Sequence, residues 1–518
     1  MTVADTDTAA PIASIAIVGG GTAGWMAAAA LARSLGPRPP AITLIESEAL
    51  GTIGVGEATI PPIREMNRLL GLAEEEFVRA TGATFKLGIA FENWRAVGHR
   101  YFHPFGRLGA AIGPLPFHLY WQALVAVRPD AAGTLTAYSL PAMAAAAGTF
   151  QQPSDDPRNT LSMMSHAYHF DAGLYARLLR HRAEADGVAR LEGRIVSVVR
   201  HERDHPAGPM VRSVTLADGR SVAADLFIDC SGFAGLLIGA DPGNAYQDWR
   251  HWLPCDSALA MPTERTADPL PYTRAIAEQA GWQWRIPLQH RVGNGHVFAS
   301  DFVERDTAER VLRDSVAGTP LAEARLLRFT PGRRAQAWRG NVVAIGLAAG
   351  FLEPLESTSI HLVQSAVTRL LALFPDQGFA PADIAYFNRA TAAEYERIRD
   401  FLILHYHATE RRDSAFWDHV REQAIPDTLA ERIDLYRSRG RFFPEPFDLF
   451  LEPSWIAVLH GQGITPAQPD PLALAAADRL AEVLPRMRAA IARAVATMPG
   501  HAAFLARHIA APRPPDQR

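Results

Sequence analysis

The stretches IASIAIVGGGTAGWMAAAALARSL, residues 12–35, and AITLIES, residues 41–47, decide the fold of this chain. The first begins with an apolar run typical of a buried strand, and the second has the same character. Between them lie three consecutive glycines and an alanine-rich segment with the composition of a helix. The order strand, helix, strand predicts a βαβ unit with two parallel strands.

Gly19, Gly21 and Gly24 form a GxGxxG pattern at the turn between the first strand and the helix. Glycines at these places permit a tight turn and let backbone N–H groups approach a pyrophosphate. Glu46 ends the second strand about 20 residues further on, where a carboxylate accepts hydrogen bonds from ribose hydroxyls. Together these features predict a dinucleotide site, and a glycine-rich turn without a ligand is the alternative.

The spacing of the remaining strands favours FAD over NAD. The complementary apolar strands arrive only at residues 225–229 and 341–346. A dehydrogenase would normally complete its sheet close to the first βαβ unit, so an interrupted sheet is typical of flavoproteins. We therefore expect a flavin site.

The composition excludes several other classes of protein. The chain has 518 residues, 48% of them hydrophobic, and a formal net charge of -4, which gives no basic surface for nucleic acid or membrane. Cys230 and Cys255 are the two cysteines, too few for a disulfide framework and wrongly spaced for a CxxC metal or redox motif. The first ten residues, MTVADTDTAA, lack an export signal, and no apolar run approaches the roughly 20 residues that span a bilayer. We expect a cytoplasmic protein without a metal.

Lys86 is the one lysine of the chain, and every other cationic side chain is arginine. Arginine keeps its proton in proteins, whereas a buried lysine amine can lose its proton and react. A chance survivor on a solvated face is the alternative, and composition alone leaves the two readings equal.

Seven segments together resemble the flavin-dependent tryptophan halogenases, and the resemblance covers nearly the whole chain. The segments are GGGTAGW (19–25), GVGEATIP (54–61), TFKLGIAFENW (84–94), HAYHFDAGLYARLLR (166–180), DLFIDCSGF (225–233), WQWRIP (282–287) and GFLEPLESTSIHL (350–362). The resemblance implies an FADH2-dependent halogenase in which hypohalous acid forms from a flavin hydroperoxide and chloride or bromide, with O2 as oxidant. It also implies a separate flavin reductase and a small aromatic substrate, and it leaves a homodimer open.

The resemblance places the catalytic groups. Lys86 falls on the family's essential lysine, which binds hypohalous acid or becomes a haloamine. Glu356 matches the second catalytic group, supported by Ser357, and family register selects it over the rival Glu353.

The start of the apolar helix that follows is a predicted halide site. Thr358 and Ser359 lie where free backbone N–H groups and the helix dipole attract an anion. The family usually has glycine at the second position, so Ser359 is a departure. Capping by the hydroxyls without an ion is the alternative.

The resemblance also supplies a signature and the flavin contacts. Trp282, Trp284, Ile286 and Pro287 match the WxWxIP motif that distinguishes halogenases from aromatic monooxygenases, and we expect the indoles to keep substrate away from the flavin; two core tryptophans are the alternative. Beyond the glycines and Glu46, the expected FAD contacts are Thr22, Ala23, Ser47, Val55, Ala58, Val196, Asp229, Gly346, Leu347 and Ile360.

The substrate region differs from that of the tryptophan enzymes. His103 and Phe105 resemble one wall of an indole pocket, and Trp455 resembles the other. The positions that hold the amino-acid group of tryptophan carry, by register from Trp455, Phe442-Phe443, Phe450 and Leu459. These apolar residues would impose a desolvation cost on a zwitterion, so we expect indole or another neutral aromatic. Glu445, Asp448 or Glu452 could still supply a different clamp.

The expected fold is an α/β, Rossmann-like FAD-binding domain of the aromatic-hydroxylase type, with an inserted antiparallel sheet and a helical C-terminal layer. Residues 11–370 would form the FAD domain, with the inserted sheet at about 249–330, and residues 371–510 the helical pocket region. Residues 1–10 and 511–518 would be disordered. The rival functions are a flavin-dependent aromatic monooxygenase and a non-catalytic flavin-binding protein.

Overall fold

The computed structural model describes residues 9–48, 56–202 and 205–510. The strands are β1 Ser14–Val18, β2 Ala41–Glu46, β3 Gly56–Ala58, β4 Thr84–Lys86, β5 Gly88–Glu92, β6 Arg100–Pro104, β7 Ala167–Asp171, β8 Ala189–Glu192, β9 Ile195–Arg200, β10 Val211–Leu216, β11 Ser221–Ala223, β12 Leu226–Asp229, β13 Tyr246–Asp248, β14 Ser257–Thr263, β15 Thr273–Glu278, β16 Gly281–Pro287, β17 Val292–Phe298, β18 Arg325–Arg328, β19 Gly332–Arg334, β20 Trp338–Arg339, β21 Val342–Ala344 and β22 Gly350–Phe351.

The helices alternate with these strands in the first two thirds of the chain and dominate the last third. They are α1 Thr22–Ser34, α2 Ile63–Leu69, α3 Glu74–Thr81, α4 Phe117–Val127, α5 Pro129–Ala132, α6 Leu140–Ala146, α7 Ala172–Ala185, α8 Arg305–Ser315, α9 Ser359–Ala372, α10 Pro381–His407, α11 Ala415–Glu422, α12 Asp427–Arg439, α13 Glu452–Gly461, α14 Pro471–Leu474, α15 Ala477–Ala496 and α16 His501–Ala510. Within the described residues, none of the helices combines the length and the apolar character needed to cross a membrane.

A six-stranded sheet in the order β20-β21-β12-β1-β2-β8 carries the nucleotide-binding turn. β1 runs parallel to both β2 and β12, and α1 connects β1 with β2. The predicted βαβ unit and the late arrival of the complementary strands are therefore confirmed. Four consecutive alanines of α1, residues 27–30, are buried, because small side chains let this helix pack closely against its neighbours.

The second large sheet is mixed rather than purely antiparallel. It has the order β18-β14-β17-β16-β15-β5-β6, and five of its strands come from the predicted interval 249–330. β5 and β6 come from residues 88–104, and β5 pairs with β15 in parallel. A pattern of local turns could reveal the hairpins, but this parallel pair joins segments far apart in the sequence.

A small sheet in the order β3-β7-β4 carries Lys86 on its edge strand. The outer side of β4 is bound by α16, because Phe85 N–H donates to His501 Nε2 at 3.2 Å. His501 Nδ1 in turn donates to the carbonyl of Pro269 at 2.8 Å. On this side of β4 the backbone N–H of Phe85 is therefore bonded to a histidine of α16 and not to another strand.

Candidate active site

The glycine-rich turn fits a dinucleotide. Gly19 has φ +111, and a Cβ there would lie 2.3 Å from the carbonyl oxygen of Cys230. A Cβ on Gly24 would lie 1.8 Å from the carbonyl oxygen of Gly19, so both positions need glycine. A Cβ on Gly21 would meet nothing within 4 Å, so this side of the turn is open to a pyrophosphate at the start of α1.

Glu46 is fixed at the end of β2 by several donors. Trp25 Nε1 donates to its Oε2 at 3.3 Å, and the guanidinium of Arg190 donates to its Oε1. A Cβ on Gly20 would lie 1.5 Å from Glu46 Oε2, so only glycine leaves room for the carboxylate. This arrangement suits recognition of a ribose beside the glycine turn.

Several of the other expected FAD contacts converge on the same region. Gly346 and Leu347 follow β21, and a Cβ on Gly346 would lie 3.1 Å from Cβ of Ala23. A small pocket is lined by Gly346, Leu347, Gly350, Phe351, Leu352, Ser359, Leu362 and Tyr395. The predicted flavin residues Gly346 and Leu347 thus share a pocket with the predicted halide residue Ser359.

Other expected FAD contacts are more dispersed. Ile360 is buried in α9, and Ala58 is buried at the end of β3. Ser47 directly follows β2, whereas the side chain of Val196 on β9 is 55% exposed. Val55 lies outside the described residues.

Asp229, an expected FAD contact at the end of β12, holds the turn that follows this strand. Its Oδ1 accepts from the N–H and the hydroxyl of Ser231, and its Oδ2 accepts from the N–H groups of Leu237 and Ile238. The position of this strand end beside the cofactor stays a prediction.

Lys86 is completely buried, and its amine faces the turn that contains Ser357. Nζ donates to the carbonyl oxygen of Thr59 at 2.9 Å and to Ser357 Oγ at 2.8 Å. It also lies 5.2 Å from the centre of the Phe105 ring. Burial lowers the pKa of Lys86 to about 7, although the charge of Glu356 raises it in part. The lone lysine is therefore a buried amine that can exist in either protonation state near neutral pH.

Ser357 links the amine to the carboxylate next to it in sequence. It follows the 3-10 turn Pro354–Glu356 and has φ +61, a left-handed conformation that non-glycine residues seldom adopt. Such strain persists where the surroundings fix it, and here the hydroxyl of Ser357 accepts from Lys86. The turn thus brings Lys86 and Glu356 to one site.

Glu356 is completely buried between two histidines. His103 Nδ1 lies 3.0 and 2.9 Å from the two carboxylate oxygens, and His405 Nε2 lies 2.8 Å from Oε1. Burial alone would raise the pKa of Glu356, but the interactions with His103 and His405 outweigh it and lower the pKa to about 2. Glu356 is therefore an ionised base.

His405 contacts Glu356 in a fixed orientation. His405 Nδ1 lies 2.8 Å from the carbonyl oxygen of Phe401, which can only accept, so Nδ1 carries a hydrogen. The other ring nitrogen, Nε2, therefore faces Oε1 of Glu356 at 2.8 Å.

Glu353, the alternative to Glu356, makes its hydrogen bonds to Trp282 and Tyr406. Its Oε2 accepts from Trp282 Nε1 at 3.2 Å and from the hydroxyl of Tyr406 at 2.9 Å. Burial raises its pKa to about 7, and no cation pairs with it among the residues that the structure describes. The geometry therefore agrees with Glu356 rather than Glu353 as the ionised group.

Thr358 combines burial with an unpaired hydroxyl at the start of the 14-residue helix α9. Its side chain is fully buried, makes no capping hydrogen bond, and has no partner for Oγ1 in the described part of the chain. A buried hydroxyl without a partner is uncommon in a folded protein. Together with the N–H groups of the helix start it forms a candidate anion site.

An aromatic cluster lies next to His103. Phe401 stacks on Phe450 with ring centres 4.2 Å apart and lies 5.1 Å from Trp455. The His103 ring is 5.8 Å from Phe401 and 6.1 Å from Phe450. The expected substrate residues His103, Phe450 and Trp455 thus lie in one cluster around Phe401. The fourth, Phe105, lies beside Lys86.

The three acidic residues near Trp455 all have partners within the chain. Arg397 pairs with Glu445, Arg432 binds both oxygens of Asp448 at 2.8 and 2.9 Å, and His118 lies 3.0 Å from Glu452. Phe443, expected at the pocket, is 64% exposed, because the loop after α12 turns it outward.

Two contributors to the site were missed at the sequence level, His405 and Phe401 on α10. Both belong to the run FLILHYH, whose composition indicates only a buried helix. Nothing in that run reveals that one turn of it faces Glu356, which is 49 residues earlier.

The chain is similar to known proteins over nearly its whole length. The family model described as Tryptophan halogenase matches residues 14–478. Tryptophan 6-halogenase SttH from Streptomyces toxytricini is 36% identical over 493 residues, which are 90% of this chain and 92% of the relative. A flavin-dependent halogenase structure from Xanthomonas campestris is 47% identical, with TM-score 0.91, and covers 98% of this chain and 100% of its own. The flavin-dependent halogenase BrvH from a Brevundimonas species is 48% identical, with TM-score 0.89, over 96% of this chain and 99% of its own. This chain therefore belongs to the tryptophan halogenase family and is a flavin-dependent halogenase that uses FADH2, O2 and halide.

Proposed function

We propose that Lys86 and Glu356 carry out the halogenation of a neutral, electron-rich aromatic substrate such as indole. One observation carries the proposal: the buried amine of Lys86 is bonded to Ser357, the residue next to Glu356. A surface lysine could not act with this carboxylate. The pairing of a lysine whose pKa is near 7 with a carboxylate whose pKa is about 2 gives one proton donor and one base at neutral pH.

Reduced FAD, when bound, would supply the two electrons that bring O2 to the peroxide level, and oxygen at that level oxidises the halide to hypohalous acid. The turn at Gly19, Gly21 and Gly24 would hold its pyrophosphate, and Glu46 its ribose. Every later step is assigned to side chains of this chain.

Lys86 would bind and activate the hypohalous acid. As an ammonium group it has three N–H donors, of which Thr59 and Ser357 accept two. We assign the third to the oxygen of hypohalous acid. The carbon–halogen bond then forms as the halogen–oxygen bond breaks, and the departing hydroxide takes a proton from Lys86 to become water.

Glu356 would complete the substitution. The ring carbon that gains halogen must lose its hydrogen as a proton, and the Glu356 carboxylate accepts it. His103 holds the carboxylate in its ionised form until that step, because it donates to both oxygens. Glu356 then loses its proton to solvent, and the neutral amine of Lys86 gains one from solvent. Both groups return to their starting states.

We assign the halide to the start of α9. The unpaired hydroxyl of Thr358 and the backbone N–H groups of Ser359 and Ile360 supply donors there. Ser359 also lines the small pocket with Gly346 and Leu347, so the halide would lie beside the expected flavin residues.

A neutral substrate is supported by the state of the acidic residues near Trp455. An ammonium group would need a free carboxylate, yet Glu445, Asp448 and Glu452 already have partners in the chain. Phe450 packs against Phe401 where a charged group would have to be desolvated.

Formation of a homodimer and a cytoplasmic location stay predictions from the sequence.

Product analysis by mass spectrometry tests the proposal. The protein is supplied with a flavin reductase, NADH, O2, bromide or chloride, and either indole or free tryptophan. We expect halogenated indole from the wild type and none from Lys86→Met or Glu356→Gln, while the matched variant Glu353→Gln remains active. Halogenation by Lys86→Met at the wild-type rate would refute the assigned site, and free tryptophan as the better substrate would refute the assigned substrate.

A further inference from the structure

The WxWxIP segment forms one strand, β16, whose pattern has a simple geometric basis. Successive side chains of a strand point to opposite faces, so Trp282, Trp284 and Ile286 share one face. The Trp284 ring lies over Gly295 of β17, where a Cβ would be 2.0 Å from the ring. Ile286 packs against Gly56 of β3, where a Cβ would lie 3.4 Å from Cγ2 of Ile286. The motif therefore describes a face that packs closely on its neighbours.

The first end of β16 is bonded to the segment that carries Glu356. The indole N–H of Trp282 donates to Glu353 Oε2 at 3.2 Å, and the hydroxyl of Tyr406 donates to the same oxygen at 2.9 Å. Glu353 is completely buried and directly precedes the 3-10 turn Pro354–Glu356. Two donors from different elements thus fix the residue from which the catalytic turn starts.

The last residue of β16 is bonded to the strand that carries Lys86. The hydroxyl of Thr84 donates to the carbonyl oxygen of Pro287 at 2.6 Å. Thr84 lies two residues before Lys86, so both side chains are on the same face of β4.

A histidine fixes the rotamer of Thr84. Because the Thr84 hydroxyl donates to Pro287, its oxygen accepts from His169 Nδ1, 3.0 Å away. His169 Nε2 is then the acceptor for the hydroxyl of Thr273, 2.9 Å away on β15. Burial lowers the pKa of His169 well below its usual value, which agrees with this neutral form. The bond from Thr84 to Pro287 therefore belongs to a network in which every donor has an acceptor.

We propose that β16 is a brace that sets the separation of Lys86 and Glu356, with Trp282 and Thr84 as its positioning residues. The proposal rests on the catalytic roles assigned above to Lys86 and Glu356. It gives the motif a role different from shielding the flavin, since Trp282 uses its one polar atom to bind Glu353. Because one strand is bonded to both segments, the distance between Lys86 and Glu356 would stay constant when neighbouring loops move.

Variants at the two ends of β16 test the brace. Trp282→Phe keeps an aromatic ring but removes the indole N–H, and Thr84→Val keeps the shape but removes the hydroxyl. The quantities measured with bromide are the rate of FADH2 oxidation, the brominated product formed per FADH2 oxidised, and hypobromous acid released to a trap such as monochlorodimedone. Both variants should oxidise FADH2 at the wild-type rate, form about 10- to 100-fold less product per FADH2, and release more hypobromous acid.

Matched controls separate positioning from general loss of packing. Trp338→Phe removes a buried indole N–H that donates to the carbonyl of Gly340 at 3.0 Å, far from the site on β20. Thr81→Val removes a buried hydroxyl that donates to the carbonyl of Phe77 at 2.7 Å. Both should keep the wild-type ratio of product to FADH2. Glu353→Gln should keep it too, because the amide oxygen still accepts from both donors.

The outcomes distinguish the brace from its rivals and from the catalytic assignment. A wild-type amount of product per FADH2 in either Trp282→Phe or Thr84→Val overturns the brace. A lower amount in Glu353→Gln also overturns it, because the effect would then come from the charge of Glu353. Hydroxylated substrate from Trp282→Phe would favour the shielding role and also overturn it. Failure of the catalytic assignment would show separately, as halogenation by Lys86→Met.

Discussion

Replacing His103 with phenylalanine should convert Glu356 from a base into a buried acid. In the wild type the pKa of Glu356 falls from 4.5 to about 2 although burial opposes this change, and His103 is the first of the groups that lower it. The difference of about 2.5 pKa units corresponds to about 3 kcal/mol in favour of the ionised form. Without the donor at Nδ1, His405 alone still opposes the effect of burial, and we expect the pKa of Glu356 to rise.

The sign of the pH dependence follows from this change. In the wild type the folded pKa of Glu356 is below the unfolded value, so the group stabilises the fold above pH 4.5 and loses this contribution as the pH falls towards 2. In His103→Phe the folded pKa of Glu356 is higher than in the wild type, so this stabilising contribution is smaller. Relative to the wild type, the midpoint of thermal unfolding should therefore fall as the pH rises from about 2, and the difference should become constant above the folded pKa of the variant.

Product formed per FADH2 oxidised, measured across about pH 5 to about pH 8, provides the direct assay. His103→Phe should lose product at the acidic end of this range, where Glu356 holds a proton, whereas the wild type should not. His103→Asn is the matched control, because its amide N–H occupies nearly the place of Nδ1 and should restore much of the acidic activity. Identical pH profiles for wild type and His103→Phe would show that His103 does not set the charge of Glu356.

Three further outcomes are expected. Lys86→Met should continue to consume FADH2 and O2 but form no halogenated product, and wild-type product levels would exclude Lys86 from the chemistry. Because burial lowers the pKa of Lys86 to about 7, product per FADH2 in the wild type should fall as the pH rises through about 7, when Lys86 loses the third N–H that would bind hypohalous acid; an increase would instead indicate a neutral amine that becomes a haloamine. Gly20→Ala should displace Glu46, since the new Cβ would lie 1.5 Å from Oε2, and weaken FAD binding about 10-fold or more, as measured by fluorescence titration; unchanged affinity would mean that Glu46 does not hold the ribose.

The parts of the fold that sequence could predict depend on local patterns. The GxGxxG turn and the strand that ends at Glu46 each occupy a continuous segment. Lys86 could be singled out because it is the one lysine in the chain.

The unpredicted parts depend on contacts between distant segments. His103 meets Glu356 across 253 residues, and the parallel pairing of β5 with β15 joins elements from different halves of the chain. The hydrogen bonds of Asp229 were likewise not predicted, because their four donors come from the turn after it, which no residue pattern discloses. A sequence can thus indicate candidate reacting groups more readily than the groups that set their charge.

The bond between Phe85 and His501 makes the strand of Lys86 depend on a segment that is synthesised much later. The two residues are 416 positions apart, so β4 leaves the ribosome long before the helix that completes its outer edge. The outer edge of this strand therefore stays without its hydrogen bond to α16 until residue 501 has been synthesised.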